Sequence, residues 1–243
     1  MDTLELSRAK KAYNQSQKVC VLTGAGVSAE SGVPTFRGTD GLWKNYNPME
    51  LATLEAFRTD PVLVWEWYQW RRQLIRKCAP NPSHFAIYQM EKEKEHFLLI
   101  TQNVDGMHKK AGSTKVVEIH GNIWEVKCMS CDAKFMEEGD FEKLPPECGK
   151  CGSFLRPNVV WFGETIPREA LETSIEALSS CDLLIVAGTS GYVQPAASFA
   201  QMAAKNKAVV MEVNIEKTPN AELVDHFFLG KSGEILSALV SEK

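Results

Sequence analysis

The chain has 243 residues, 44% of them hydrophobic and 24% charged, with a formal net charge of -4. That length is ample for a sizeable core, as one large α/β domain or as a domain with an insertion. The mildly acidic balance offers no basic face for nucleic acid, and no apolar run reaches the length of a membrane span.

Residues 3–17 predict a short amphipathic helix. The first eleven residues carry Asp2, Glu5, Arg8, Lys10 and Lys11 and lack the apolar stretch of a secretory signal, which predicts a cytosolic protein. Residues 18–23 read as a buried strand stopped by Gly24-Ala25-Gly26. Further apolar runs at 97–101, 183–187, 208–213 and 226–229 predict four more strands. Helical patterns lie between them, at 83–95, 167–180 and 194–206. Continuous apolar strands alternating with helices predict an α/β fold, a Rossmann-like, doubly wound parallel sheet.

Two stretches break that rhythm. Residues 38–79 are rich in Trp and read as helices; residues 124–157 carry paired cysteines and Pro145-Pro146. Both read as insertions that form a smaller helical and zinc-binding module. The larger domain is then 1–37, 80–123 and 158–243. No internal repeat or low-complexity segment is evident.

Seven cysteines are present. Cys20, Cys78 and Cys181 are scattered, and Cys20 and Cys181 read as buried, inert thiols. Cys128-x-x-Cys131 and Cys148-x-x-Cys151 are two knuckles sixteen residues apart. Two knuckles make a tetrahedral sulfur site, the zinc-ribbon pattern. Four thiolates close the shell, so the ion is structural and activates no water. Coincidental or redox-active cysteines are the competing reading.

Gly24-Ala25-Gly26-Val27-Ser28-Ala29 fits G-x-G-x-x-A after a strand, where the second glycine lets backbone approach a pyrophosphate. Alone, the motif fits a plain structural turn equally well. The acidic residue that dinucleotide folds place at the end of a second strand, about twenty residues on, is missing from 38–50. The nucleotide is therefore expected to be held differently from a dehydrogenase cofactor.

The turn continues into Glu30-Ser31-Gly32-Val33-Pro34-Thr35-Phe36-Arg37-Gly38. Thr101-Gln102-Asn103-Val104-Asp105, Glu118-Ile119-His120-Gly121, Gly188-Thr189-Ser190 and Val213-Asn214 follow in order, with the cysteine quartet after the His. This set closely resembles the sirtuins, NAD-dependent protein-lysine deacylases, over residues 18–232. It is most similar to the subgroup that removes succinyl and malonyl groups. The resemblance implies NAD as a consumed co-substrate and one structural zinc ion. It implies that residues 24–37, with Gly24, Ala25, Gly26, Ser28, Glu30, Phe36 and Arg37, wrap the pyrophosphate and nicotinamide ribose, Phe36 excluding water. Gly188, Thr189 and Ser190 would contact phosphate and ribose. Asn214 and Glu216 would lie at the adenosine end and Ser232 near the adenine. Gln102, Asn103, Val104 and Asp105 would line the nicotinamide pocket, Asp105 accepting from the carboxamide.

His120 is the expected general base, since imidazole titrates near working pH. Read alone it fits a structural histidine equally well. His84, His96, His108 and His226 lie in helical or strand patterns and are expected to be surface or packing residues. The resemblance implies that His120 draws a proton from the ribose hydroxyls while Asn103 positions the ribose. Nicotinamide, free lysine and O-acyl-ADP-ribose result. It also implies that Val159, Val160, Trp161, Phe162 and Gly163 pair with an acyl-lysine peptide as an added strand.

Tyr68 and Arg71 are three apart on a predicted helix, hence on one face, and a phenol with a guanidinium suits a carboxylate. The acidic-deacylase subgroup carries the same Tyr-x-x-Arg pair, and Ala52 would widen the channel. The competing reading is an amphipathic helix whose aromatics pack while Arg71 is solvated. Arg72 is expected at the surface. The function expected is NAD-dependent removal of succinyl, malonyl and also acetyl groups from protein lysines, by a monomer without membrane or nucleic-acid partners. Protein ADP-ribosylation, a non-catalytic NAD-binding zinc module and an ordinary dehydrogenase are the alternatives.

Overall fold

The structure, a computed structural model, describes residues 3–35 and 47–241. Helix α1 (Thr3–Gln15) is followed by β1 (Lys18–Thr23), the short helix α2 (Ala25–Ala29), α3 (Pro48–Leu51), α4 (Leu54–Thr59), α5 (Pro61–Arg76) and α6 (Pro82–Glu93). Then come β2 (His96–Thr101), α7 (Met107–Lys110), β3 (Val116–Glu118), β4 (Gly121–Cys128), β5 (Lys134–Met136) and β6 (Leu155–Val159). The chain closes with α8 (Arg168–Ser180), β7 (Leu183–Ala187), α9 (Phe199–Lys205), β8 (Val209–Asn214), β9 (His226–Leu229) and α10 (Ser232–Val240).

Six strands form one parallel sheet in the order β3-β2-β1-β7-β8-β9. Numbered along the chain this is 3-2-1-4-5-6, the order of doubly wound dinucleotide folds. The predicted strands are all there. They are buried runs because helices cover both faces, one packed by Val21, Leu99, Ile185 and Met211, the other by Cys20, Leu22, Ile100 and Val210. Strand β3 was not predicted; three half-buried residues are too few to show a period. The predicted helix over 3–17 ends at Gln15, and that over 194–206 is helical as α9 only from Phe199, after a 3₁₀ turn at Ala196–Ser198.

Strands β5-β4-β6 form a separate antiparallel sheet spanning Gly121 to Val159, slightly wider than residues 124–157. Against it pack α4 and α5 through a second core that includes Phe57, Trp65, Trp67, Tyr68, Ile75, Trp124 and Trp161. Helix α5 starts where Asp60 accepts from the Leu63 amide at 2.9 Å and Pro61 takes the first helical position, whose N–H needs no partner. Residues 48–76 are thus mostly helical, as predicted. The rest of the 38–79 stretch, up to residue 46, lies outside the described residues. No helix among the described residues is long and apolar enough to cross a membrane.

Candidate active site and zinc centre

The order of the large sheet reverses between β1 and β7, and at such a switch point the two loops leave the C-terminal edge in opposite directions. Here those loops are the Gly24 turn and the Gly188 turn. Gly24 N–H donates to the Ala187 carbonyl at 3.0 Å and Gly26 N–H to the Gly188 carbonyl at 2.8 Å. A Cβ at Gly24 or Gly26 would sit 2.8 Å from Gly188 backbone atoms. Gly188 has φ +59°, and its own Cβ would meet Val27 N at 2.5 Å. The glycines therefore serve first to let two backbone turns touch, a use the motif alone did not distinguish from approach to a phosphate. Helix α2 has only five residues.

Polar side chains from four strand ends meet over these turns. Asn103, buried, donates from Nδ2 to the Gly24 carbonyl at 3.0 Å and to Ser28 Oγ at 3.1 Å. Gln102 Nε2 donates to Thr189 Oγ1 at 3.0 Å, and Asn214 Nδ2 donates to the Thr189 carbonyl at 2.7 Å. Thr189 thus joins the β2, β7 and β8 loops, with the half-buried Ser190 beside it. Asp105 is buried; its Oδ1 accepts from the Met107 amide at 2.8 Å, and burial pushes its carboxyl above the usual range. Val104 accepts from the Ile123 amide at 2.8 Å and ties this loop to β4. Ala25 is half-buried at the turn, whereas Glu216 is exposed beyond β8. Phe36 and Arg37 lie outside the described residues.

Glu30 and Ser232, both expected along the nucleotide, are hydrogen-bonded to each other. Ser232 Oγ donates to Glu30 Oε1 at 2.6 Å, Gly233 N–H donates to the same carboxylate at 3.2 Å, and Ser83 Oγ lies 2.7 Å from Ser232 Oγ. Glu30 anchors the start of α10, a partnership between residues far apart in sequence that no local pattern announces.

His120 follows β3, where the chain turns into β4. Its Nδ1 lies 3.1 Å from the Gln102 carbonyl, which can only accept, so Nδ1 carries the proton and Nε2 keeps its lone pair. Burial holds the imidazole below its ordinary range, partly offset by that carbonyl. The ring is thus a neutral base with a fixed tautomer. The other histidines behave as expected. His84 and His108 are buried with ring centroids 4.7 Å apart, His226 Nδ1 pairs with Glu5 at 2.6 Å, and His96 is exposed.

The segment after β6 passes directly beneath His120. Val160 N–H donates to the His120 carbonyl at 2.9 Å and Phe162 N–H to the Ala52 carbonyl at 2.9 Å. Trp161 N–H donates to Glu164 Oε2 at 2.9 Å, and Gly163 turns with φ +85°. Arg156, buried, grips Glu164 with both Nη atoms at 2.6 and 2.9 Å, donates to the Val159 carbonyl at 2.8 Å, and lies 3.3 Å over the Trp161 ring. Burial would raise the Glu164 carboxyl, but Arg156 and the Trp161 amide hold it below the usual range. This brace escaped the sequence reading because nothing in the run 156–164 marks Arg156 as buried. A cleft of about 410 Å³ lies along Val159, Val160 and Gly163.

Tyr68 is buried, and its hydroxyl accepts from Trp161 Nε1 at 2.7 Å; burial pushes the phenol up to about 12. Arg71 lies with its Cζ 5.1 Å over the Trp67 ring, close enough to Tyr68 and Asp105 for both to act on its charge. It lines a small crevice with Val33, Pro34 and Thr35. Ala52 is buried beside Phe162. The expectation for Arg72 is overturned. It is 1% exposed, donating to the carbonyls of Glu137 and Gly139, with its Cζ 5.4 Å from the Trp124 ring and 5.2 Å from Phe141. The helix face one residue round from Arg71 is covered by the β5–Cys148 loop, which the helical period could not foresee.

The four cysteines converge. Cys128 and Cys151 sulfurs are 3.5 Å apart, Cys131 and Cys148 sulfurs 3.7 Å, and all four lie within 4.8 Å of one another. A tetrahedron with Zn–S bonds of about 2.3 Å needs sulfurs about 3.8 Å apart, so the set fits one zinc ion. The Ser130 and Cys131 amides donate to Cys128 Sγ at 3.3 and 3.4 Å, contacts that favour the thiolate a metal requires at this sulfur.

A family model described as the Sir2 family matches residues 24–195. An NAD-dependent protein deacylase 1 from Caldanaerobacter subterraneus subsp. tengcongensis is 53% identical over 220 residues, which covers 90% of this chain and 91% of that protein. The crystal structure of a Sir2 homolog–NAD complex matches with a TM-score of 0.92 at 43% identity, covering 96% of this chain and 92% of the other. A structure of Sir2 bound to acetylated peptide matches with a TM-score of 0.83 at 29% identity, covering 97% and 96%. The chain belongs to the Sir2 family, the sirtuins.

Proposed function

We infer that this chain is an NAD-dependent protein-lysine deacylase, and we propose that it prefers succinyl- and malonyl-lysine while also accepting acetyl-lysine. The deacylase reading is supported by the deacylase relative, the NAD complex of the structural neighbour and the acetylated peptide of the second neighbour. The observation that carries it is His120, whose Nδ1 is spent on the carbonyl of Gln102, the residue whose side chain reaches Thr189, so that Nε2 is left as a neutral base. When bound, NAD would supply an activated ribose carbon that loses nicotinamide and takes up the acyl oxygen; with one water consumed, the net products would be free lysine, nicotinamide and O-acyl-ADP-ribose. His120 takes the proton from a ribose hydroxyl. Asn103, held by Gly24 and Ser28, orients the ribose. Asp105 accepts from the carboxamide, and Gln102, Thr189, Ser190 and Asn214 hold the rest of the nucleotide. The zinc ion stabilises the small unit and takes no part in the chemistry.

The substrate lies in the cleft along residues 159–163 as an added strand. The amides of Val160, Trp161 and Phe162 are engaged within the chain, so pairing draws on carbonyl oxygens, each with two lone pairs. Tyr68 and Arg71 meet the acyl carboxylate; a cationic guanidinium kept among aromatic rings is well suited to an anionic partner. We place the enzyme in the cytosol, since its seven cysteines are unpaired and suit a reducing compartment. We divide it into a nucleotide-binding domain (1–37, 80–123, 158–243) and a small helical and zinc module (38–79, 124–157).

The test gives purified protein NAD and matched acetyl-, malonyl- and succinyl-lysine peptides, with products read by mass spectrometry. Nicotinamide and O-acyl-ADP-ribose are expected, with succinyl and malonyl removed fastest. Faster removal of acetyl would overturn the acyl preference, and ADP-ribose attached to protein without deacylation would overturn the reaction.

A further inference from the structure

We propose that Arg72 is a positioning residue for acyl selectivity: it latches α5 onto the zinc unit and thereby aims Tyr68 and Arg71 at the acyl carboxylate. The inference rests on the reading that these two residues recognise an acidic acyl group. One face of α5 is stitched to a single stretch of the zinc unit. Gln69 Oε1 accepts from the Phe141 amide at 2.9 Å, and Arg72 Nη2 donates to the carbonyls of Glu137 and, at 2.8 Å, Gly139. Gln73 Nε2 donates to Asp140 Oδ2 at 2.9 Å, and Arg76 Nη2 donates to Asp140 Oδ1 at 2.9 Å. Trp65 Nε1 donates to the Leu155 carbonyl at 2.7 Å and its ring meets Phe141 edge-on. The partners at 137–141 lie between Cys131 and Cys148, so a metal on the two knuckles closes the loop that carries them.

Arg72 is an unlikely choice for packing alone. It is almost fully buried, and among the described residues its Nε and Nη1 have no hydrogen-bond partner. An apolar side chain of similar volume would cost less there. What a guanidinium adds is direction, because two N–H···O bonds to a fixed backbone set the rotation of the helix. Successive residues of an α-helix are about 100° apart, so fixing Arg72 fixes the azimuth of Arg71, one step back, and of Tyr68, one turn back. Loosening the latch would swing the clamp while leaving His120 and the large sheet in place.

The test measures kcat and KM on succinyl- and acetyl-lysine peptides with the full, zinc-loaded chain. Arg72→Met is expected to lower succinyl kcat/KM roughly tenfold more than acetyl kcat/KM, mainly through KM, with one zinc per chain retained. Arg72→Lys, which keeps the charge but replaces the fixed N–H directions of the planar guanidinium with a rotating ammonium, restores part of the difference. If Arg72→Met does not fold, Asp140→Ala removes the exposed partner of Gln73 and Arg76 and is expected to shift the ratio in the same direction by a smaller amount. Parallel loss on both peptides, or an unchanged ratio in a folded, zinc-loaded variant, overturns the latch. Arg71→Met separates the two claims. If it leaves succinyl turnover intact, the clamp is wrong and the latch falls with it. If it abolishes succinyl turnover while Arg72→Met leaves the ratio unchanged, only the latch is wrong.

Discussion

The parallel sheet and the zinc unit hold polar groups in place by different means. Along the sheet edge, backbone does the holding: Gly24, Gly26 and Gly188 bring two turns into contact, and Asn103, Asn214 and His120 hang their side chains on carbonyls fixed by that contact. In the zinc unit there are three strands and one is exposed throughout, so long side chains and a metal hold it instead. A sheet covered on both faces supplies its own rigidity. A three-stranded sheet cannot bury enough to do so and needs a staple.

The comparison is broken most severely by removing the staple. Cys148→Ala, or a strong chelator, is expected to abolish turnover, with amide exchange protection lost across β4–β6 and kept in β1, β2 and β7. Protection lost uniformly would show that the sheet depends on the metal as much as the ribbon does. His120→Ala tests the other side. Deacylation should fall by about 10²- to 10⁴-fold with NAD affinity kept within a few-fold. Retained turnover would remove His120 from the base's place.

Gly188→Ala sharpens the claim that backbone contact builds the edge. A Cβ 2.5 Å from Val27 N at φ +59° should cost about 3 kcal/mol by chemical denaturation. A neutral effect would mean that the two turns are not held in contact in solution. Arg71→Met with Tyr68→Phe should lower succinyl kcat/KM about 100-fold, the scale of a lost charge-assisted contact, and acetyl kcat/KM less. Equal losses would mean that the pair serves only the core of the small unit.

The smallest effect is in pH. Burial lowers the folded His120 below 6.5, so its base form persists as pH falls through that value and is lost only lower. kcat/KM should therefore stay level from neutrality down past 6.5 before its acid limb; a limb centred above 6.5 would show a charged, solvated imidazole instead.

Some of this was legible in the residues alone. The apolar runs at 18–23, 97–101 and 183–187, bounded by turn residues, read as covered strands, and two Cys-x-x-Cys knuckles admit few partners other than zinc. The glycine turn was legible as a turn, but not its use, since a Cβ at Gly24 or Gly26 is excluded by Gly188, far along the chain. Arg72 looked like a surface cation because a helical period says which way a residue points and not what arrives to cover it. The bond between Glu30 and Ser232, some two hundred residues apart, was not legible at all.

The sequence by itself determined what is local or covalent in its logic: which runs are strands and helices, where they turn, and which four sulfurs share an ion. The tertiary structure decided what depends on residues far apart in the chain. It spent Nδ1 of His120 on Gln102, made Thr189 the junction of three loops, and set Arg72 on the loop before Cys148. The reason is physical. Propensity and periodicity act over a few residues, whereas a tautomer or a buried cation is fixed by the groups that folding brings within about 3 Å.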